Sequence, residues 1–445
     1  MGAAIMKKFL FILLAITLVI PFTFLLVPVQ SSIADTASDM STFDAYNLLK
    51  EFIDGDEASL IAPNHSRTAG TEGEALAATY LENKLTSFGY GSDELAQVKA
   101  QSFLLDDLEG IVHNYTEQTS SNIIAELKFV NNTKQVIIGA HYDNAYSLYY
   151  GTSTTLSSGA FDNGTGVAVL LDLAKRFYDY KYVLNEMLPF NVTFVFFGAE
   201  EIGLMGSGYF VSKMSETEKK NTLMMINLDV IAGGKNLYVY GEDIKNPQED
   251  YFSNISKQHS QSGNIQKMPA NMGTIVGLSV SGSRPYMHTG HQSDNLSFMD
   301  AGIPIAFFFS GNLKSDYFGY VENEQVAGQI MHTKNDTIQS LMDITGGKFV
   351  TDMTLVSNTV FAGLIDNGFV SMAGEAAKSV LAPFWLSTLY PYLFFVVLFS
   401  VAAFLAYLYY KSLKRKAALG FAEFKDYKND YKSNSKTSAD EIFKF

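Results

Sequence analysis

Four short apolar runs, Val136–Gly139, Asn191–Phe197, Met224–Leu228 and Ile305–Phe309, set the strongest limit on how this chain can fold. Each is apolar at nearly consecutive positions rather than at every second one. A strand of that kind buries both faces, as the inner strands of a parallel sheet do. Helix-like segments lie between the runs. Glu74–Leu85 has Ala, Leu and Tyr at helical spacing and meets a break at Gly89, and Gly166–Tyr178 is apolar almost all round. The alternation predicts an α/β fold over residues 40–370, a doubly wound, mainly parallel sheet with helices on both faces. In such folds ligands bind just beyond the C-terminal ends of the strands.

That is where the chemically active residues fall. His141-Tyr142-Asp143 ends the first run, Glu200-Glu201 follows the second and Asp229 closes the third. Asp162-Asn163-Gly164 lies in a glycine-containing turn, and His332 comes later. Taken singly, each has a bland explanation. A strand-end histidine can be structural, Asp-Asn-Gly can be a surface turn capping the next helix, and an acidic pair can sit at a helix N-terminus where the dipole favours it. Together they supply two imidazoles and several carboxylates, enough for two divalent metal ions. A metal pair about 3.5–4 Å apart needs a bridging ligand, which a carboxylate can be and a neutral imidazole cannot. Asp162 is the candidate bridge. Asp229 is the expected terminal ligand on the side of His141, and His332 pairs with Glu201. Asp143, two residues from His141, can hold the imidazole N–H and fix its tautomer. Two adjacent carboxylates repel unless something positive holds them. One as ligand and the other as general base resolves the conflict.

This set resembles metallopeptidase family twenty-eight, the co-catalytic zinc exopeptidases that include secreted bacterial aminopeptidases. The likeness runs from about Ser66 to Met342 and opens with Ser66-Arg67-Thr68-Ala69-Gly70, similar to the family's segment before its first helix. It implies two Zn2+ per chain, His141 and Asp229 on one, Glu201 and His332 on the other, and Asp162 bridging. Glu200 would then be the general base and Asp143 the orienting partner of His141. Where family members often carry Ser-Asp-His, this chain has Ser293-Asp294-Asn295. Tyr286, His288 and His291, just upstream, are candidates for oxyanion or substrate contacts. His65, His113 and His259 read as surface or internally satisfied histidines.

The implied activity is an aminopeptidase acting on extracellular peptides. Three rivals stand beside it. Glutaminyl cyclases resemble the family but work with one zinc, and those of animals use tryptophans around the substrate; the only tryptophan here is Trp385. A carboxypeptidase-type relative needs a cation for the substrate carboxylate, for which Arg67 or Arg284 is available. A binding domain on a retired hydrolase fold would show a lost ligand, and none of the five is missing.

The net charge of −14 argues against a nucleic-acid partner, and the absence of cysteine excludes disulfides, Cys-ligated zinc and a thiol nucleophile. Two apolar stretches point to a membrane. Lys7 and Lys8 precede an uncharged run from Phe9 to Val29, so residues 1–37 read as a signal peptide or N-terminal anchor. From Ala382 to Tyr410 there is no charged residue, ample for a span that needs about 20. Trp385, Tyr390 and Tyr392 flank one end of that stretch and Tyr407, Tyr409 and Tyr410 the other, as interfacial belts do. Lys411, Lys414, Arg415 and Lys416 follow, which places the C-terminus in the cytoplasm. The expected order is thus an extracytoplasmic domain over 40–370, a juxtamembrane link over 371–385, a transmembrane helix over 386–410 and a disordered cytoplasmic tail over 411–445.

Overall fold

A computed structural model of the chain describes residues 44–55, 66–105, 118–129, 132–145, 157–241, 248–259, 265–267, 293–311 and 330–374, with Leu408, Tyr409 and Lys411. The leader over 1–37, nearly all of the link and span, and the tail lie outside the described residues. Among the described residues no helix is long and apolar enough to cross a membrane. The chain divides into two units, Met1–Gly374 and Glu375–Phe445, and the fold below belongs to the first.

In chain order the described elements are α1 (Ala45–Ile53), α2 (Glu72–Phe88), β1 (Ala96–Leu104), β2 (Thr119–Leu127), β3 (Gln135–His141), α3 (Thr165–Asp179), α4 (Lys181–Met187), β4 (Asn191–Phe197), α5 (Met205–Lys213), α6 (Glu216–Asn221), β5 (Thr222–Leu228), β6 (Asn236–Tyr240), α7 (Gln248–His259), β7 (Gln266–Lys267), α8 (Asn295–Asp300), β8 (Ile305–Gly311), α9 (Ile338–Thr345) and α10 (Lys348–Ile365). The strands form one sheet in the order β1-β2-β4-β3-β5-β8-β6-β7. Its centre, β4-β3-β5-β8, is parallel throughout and holds the four apolar runs. β2 joins this centre antiparallel through β4, β1 pairs antiparallel with β2, and β6 pairs antiparallel with β8. β1 and β2 escape the continuous-run signal because about half of their residues are polar; in β1 Gln97 and Lys99 are exposed.

Residue alternation shows that both faces of the sheet are covered. Val136, Ile138, Ala140, Phe194, Phe196, Ile226, Leu228 and Phe308 share a core with residues of α1, α2, α3, α9 and α10. Ile137, Val195, Phe197, Met225, Ile305 and Phe307 belong to a second core with Val211 and Met214 at the end of α5 and Phe298 of α8. α3 lies between the sheet and the outer helices, so most of it is buried, Asp172 and Arg176 included. Val167, Leu170, Leu171, Leu173 and Phe177 are fully buried, each favouring folding by roughly 1.5–3 kcal/mol. α2 starts at Thr71, whose side chain accepts from the Glu74 amide, and stops at Gly89 with φ of 111°. A Cβ on Gly89 would lie 2.1 Å from the Tyr178 hydroxyl, so backbone conformation and packing both demand glycine there.

Candidate metal centre

The parallel strands deliver their C-terminal ends to one crevice. His141 is the last residue of β3, Glu200 and Glu201 lie three and four residues past β4, and Asp229 directly follows β5. Asp162 comes from the loop between β3 and α3. His332 comes from a turn before α9, in the left-handed conformation with φ of 56°. The Asp162–Asn163 peptide is cis.

All five candidate ligands meet. The His141 Nε2 atom lies 3.2 Å from Asp162 Oδ1 and 3.2 Å from Asp229 Oδ1. On the other side, His332 Nε2 lies 2.8 Å from Asp162 Oδ2 and 3.2 Å from Glu201 Oε2. The Asp162 carboxylate therefore stands between the two imidazoles and presents one oxygen to each. His141, Asp162 and Glu201 offer ligand atoms within 4.8 Å of one another, close enough for a single ion.

The electrostatics are those of a site short of positive charge. Burial lifts the Glu201 carboxyl to about 7, assisted by the Asp162 charge and opposed by His332. Glu200 is pushed well above the ordinary carboxylate range by burial, helped by Glu201, Asp294 and Asp229 and opposed by His141. Burial pulls His332 down, but hydrogen bonds to Asp162 and Glu201 outweigh it and carry the imidazole up to about 12. For His141, too, burial is outweighed, by Glu200 and Asp229 first, and its basicity rises. Burial would raise Asp162, yet the two imidazoles hold it below its usual value. One oxygen of Glu201 is buried with no hydrogen-bond partner. Buried carboxylates that outnumber their cationic partners, with an unused oxygen among them, fit divalent cations. The donors, two imidazoles and carboxylates without a thiolate, suit zinc.

Asp143 does more than face His141. Its Oδ1 is 3.5 Å from His141 Nδ1, and it also accepts from the Glu200 amide at 3.0 Å while Oδ2 accepts from the Glu201 amide at 3.1 Å. The preceding amides are held similarly: Ala199 donates to Glu74 Oε1 at 3.2 Å and Gly198 to Asn122 Oδ1 at 3.2 Å. Four consecutive backbone N–H groups thus end on buried side chains from α2, β2 and the end of β3. The acidic pair sits on a corner whose shape these acceptors set. Asn163 ties the Asp162 loop to the end of β5: its side chain donates to Leu228 O at 2.9 Å and accepts from Val230 N at 3.2 Å.

Sequence reasoning missed Glu74, Asn122 and Asn163 as parts of this support, and Asp336, whose side chain accepts from the Phe161 and Asp162 amides. The available signal was weak: Asn163 adjoins a ligand and Asp336 lies in the His332 segment. Arg67 has a different place from the one considered for it. It is 1% exposed, and its guanidinium donates to Tyr142 O at 2.7 Å, Ser158 O at 2.6 Å and Gly159 O at 3.1 Å. A group so committed cannot receive a substrate carboxylate. Asn295, at the position where family members often carry histidine, accepts from Asn227 Nδ2 at 3.2 Å, and Ser293 Oγ accepts from the same nitrogen at 2.8 Å. Tyr286, His288, His291 and Arg284 lie outside the described residues.

A mixed α/β sheet that gathers imidazoles and carboxylates at the ends of its parallel strands is the architecture of the zinc exopeptidases. The model of peptidase family M28 matches residues 122–353, more than half of the sequence, and the chain belongs to that family. It is 30% identical over 230 residues to aminopeptidase YwaD of Bacillus subtilis, a match covering 51% of this chain and 42% of that one. To the alkaline phosphatase isozyme conversion protein of Escherichia coli it is 32% identical over 187 residues, covering 41% and 51%. The chain thus spans about half or less of the curated relatives it matches. Among solved structures, a zinc aminopeptidase from Bacillus subtilis shares the fold with TM-score 0.50 and 18% identity, covering 72% of this chain and 94% of that one. A Zn-dependent exopeptidase from Parabacteroides distasonis does so with TM-score 0.50 and 17% identity, covering 73% and 97%.

Proposed function

We propose that the chain is a two-zinc aminopeptidase, anchored in the cell membrane and acting on extracellular peptides. The supporting observation is the Asp162 carboxylate, with one oxygen toward His141 and the other toward His332. His141 and Asp229 would hold one zinc ion, Glu201 and His332 the other, and Asp162 both. Bound zinc would supply a Lewis acid for the scissile carbonyl and bring the pKa of a water toward neutrality. Glu200, half-buried beside this cluster, accepts the proton of the attacking water and passes it to the leaving amine nitrogen. Its raised basicity suits it to hold a proton between those two steps. Asp143 keeps the Glu200 backbone in place, so that a side chain charged in one step and neutral in the next swings on a fixed hinge. The surplus of carboxylates also suits the free α-ammonium group of a peptide. Membrane attachment rests on the uncharged stretch over 382–410 and the basic residues after it.

The test is release of free amino acid from an unblocked peptide and from its N-acetylated twin. Release from the unblocked peptide alone is the expected result. Release from both, or cleavage inside the chain, contradicts the aminopeptidase assignment, and cyclisation of N-terminal glutamine without release points to the single-zinc cyclase instead.

A further inference from the structure

The two residues that face each other across 2.8 Å, Asp162 Oδ2 and His332 Nε2, come from loops about 170 residues apart in sequence. A spacing that a metal could use has to be held by something other than those side chains. We infer that Asp336 is the positioning residue that holds the Asp162 and His332 loops in register. The inference rests on the two-zinc reading above and adds to it a residue that touches neither metal nor substrate.

Asp336 is fully buried. Its Oδ1 accepts from the Phe161 amide at 2.6 Å and its Oδ2 from the Asp162 amide at 3.2 Å. Its own carbonyl accepts from the Ala160 amide at 3.4 Å and from the Ser158 hydroxyl. One residue thereby grips the loop around Asp162 at four places, from Ser158 to Asp162. On the His332 side the turn is closed locally. Thr333 donates from its amide to Ile330 O at 3.0 Å, and the Asp336 amide donates to Thr333 O at 3.1 Å. His332 lies within that closed turn, so shifting Asp336 shifts the imidazole. Arg67 finishes the frame from beneath through Ser158 O and Gly159 O. Each of its two oxygens accepts a backbone N–H, so both must act as acceptors. An asparagine must turn its NH2 toward one of them, which pushes Phe161 or Asp162 away from the His332 turn.

The test is zinc affinity, measured on the purified full-length protein by competition with a chromophoric chelator. Asp336→Asn is expected to weaken zinc binding by about 10- to 100-fold, most at the equivalent shared by His332 and Asp162, as loss of support behind a ligand does. Activity should recover as free zinc is raised, and Asp336→Glu should restore affinity in part. Asp352→Asn serves as a control for general destabilisation, since Asp352 is a buried carboxylate paired with Lys348 in α10; it should bind zinc like the wild type. Wild-type affinities for both equivalents in Asp336→Asn, or equal weakening in Asp352→Asn, would overturn the positioning role while leaving the two-zinc reading intact. A wild-type protein that takes up no zinc would overturn both.

Discussion

Replacing Asp143 by asparagine exposes how the acidic corner is built. The carboxylate is fully buried and each oxygen accepts one backbone N–H, from Glu200 at 3.0 Å and Glu201 at 3.1 Å. An amide has a single oxygen, so whichever way it is turned its NH2 meets one of those donors. One charge-assisted bond is lost, a buried N–H is left without an acceptor, and the surviving bond becomes neutral. Together these should cost about 2–4 kcal/mol. Domains of ordinary stability hold about 5–15 kcal/mol, so the variant should still fold. Asp143→Ala orphans both N–H groups and should cost more, about 3–6 kcal/mol. Urea unfolding of the metal-free full-length protein followed by circular dichroism reads this cost without a contribution from bound metal. With zinc saturating, kcat of Asp143→Asn should fall by about 10- to 100-fold through movement of Glu200 and of the His141 ring. An unfolding free energy within about 0.5 kcal/mol of wild type, the usual range of a surface substitution, would refute the argument. So would a larger loss in Asp143→Asn than in Asp143→Ala.

Three further outcomes follow from the same geometry. Glu200→Gln should keep its zinc and lose at least about 100-fold in kcat, since only the proton acceptor is removed; near-normal turnover would remove Glu200 from the mechanism. In chelated protein, Glu201 is raised from 4.5 to about 7 and His332 from 6.5 to about 12. Both bind protons more tightly folded than unfolded. Their stabilisation is complete below the unfolded values and is lost as pH rises, through 4.5 to 7 for Glu201 and upward from 6.5 for His332. Metal binding has the opposite sign, because zinc must displace those protons. Melting temperatures between pH 5 and 9 should therefore fall with pH in chelated protein and not in zinc-loaded protein; parallel curves would contradict this. Gly89→Ala forces a side chain into φ of 111° against Tyr178 and should lower stability by about 1–3 kcal/mol at unchanged zinc content.

The centre of the sheet was legible because its strands are buried on both faces: Asn191–Phe197 is β4 as read, and Val136–Gly139 lies inside β3. β1 and β2 were not, since an outer strand with polar positions has no such run. His141, Glu201 and Asp229 could be brought together from the sequence because strand ends in an open α/β sheet converge on one crevice, whereas Asp162 and His332, on loops, joined them as candidate ligands through the ligand pattern and the family resemblance. The supports behind them could not. Asp336, Glu74 and Asn163 act on backbone amides, and the partner of an amide is set by where loops meet, which no side-chain pattern encodes. Arg67 went astray for a related reason: an arginine spent on three carbonyls looks, in sequence, like one free for an anion.

Metal stoichiometry puts the two-zinc site at greatest risk. Elemental analysis of the full-length protein after equilibrium dialysis against zinc should give two zinc ions per chain, and Asp162→Asn, with one oxygen exchanged for an NH2 between the imidazoles, should lose them. One zinc or none in the wild type, or two retained in Asp162→Asn, would contradict a carboxylate-bridged pair.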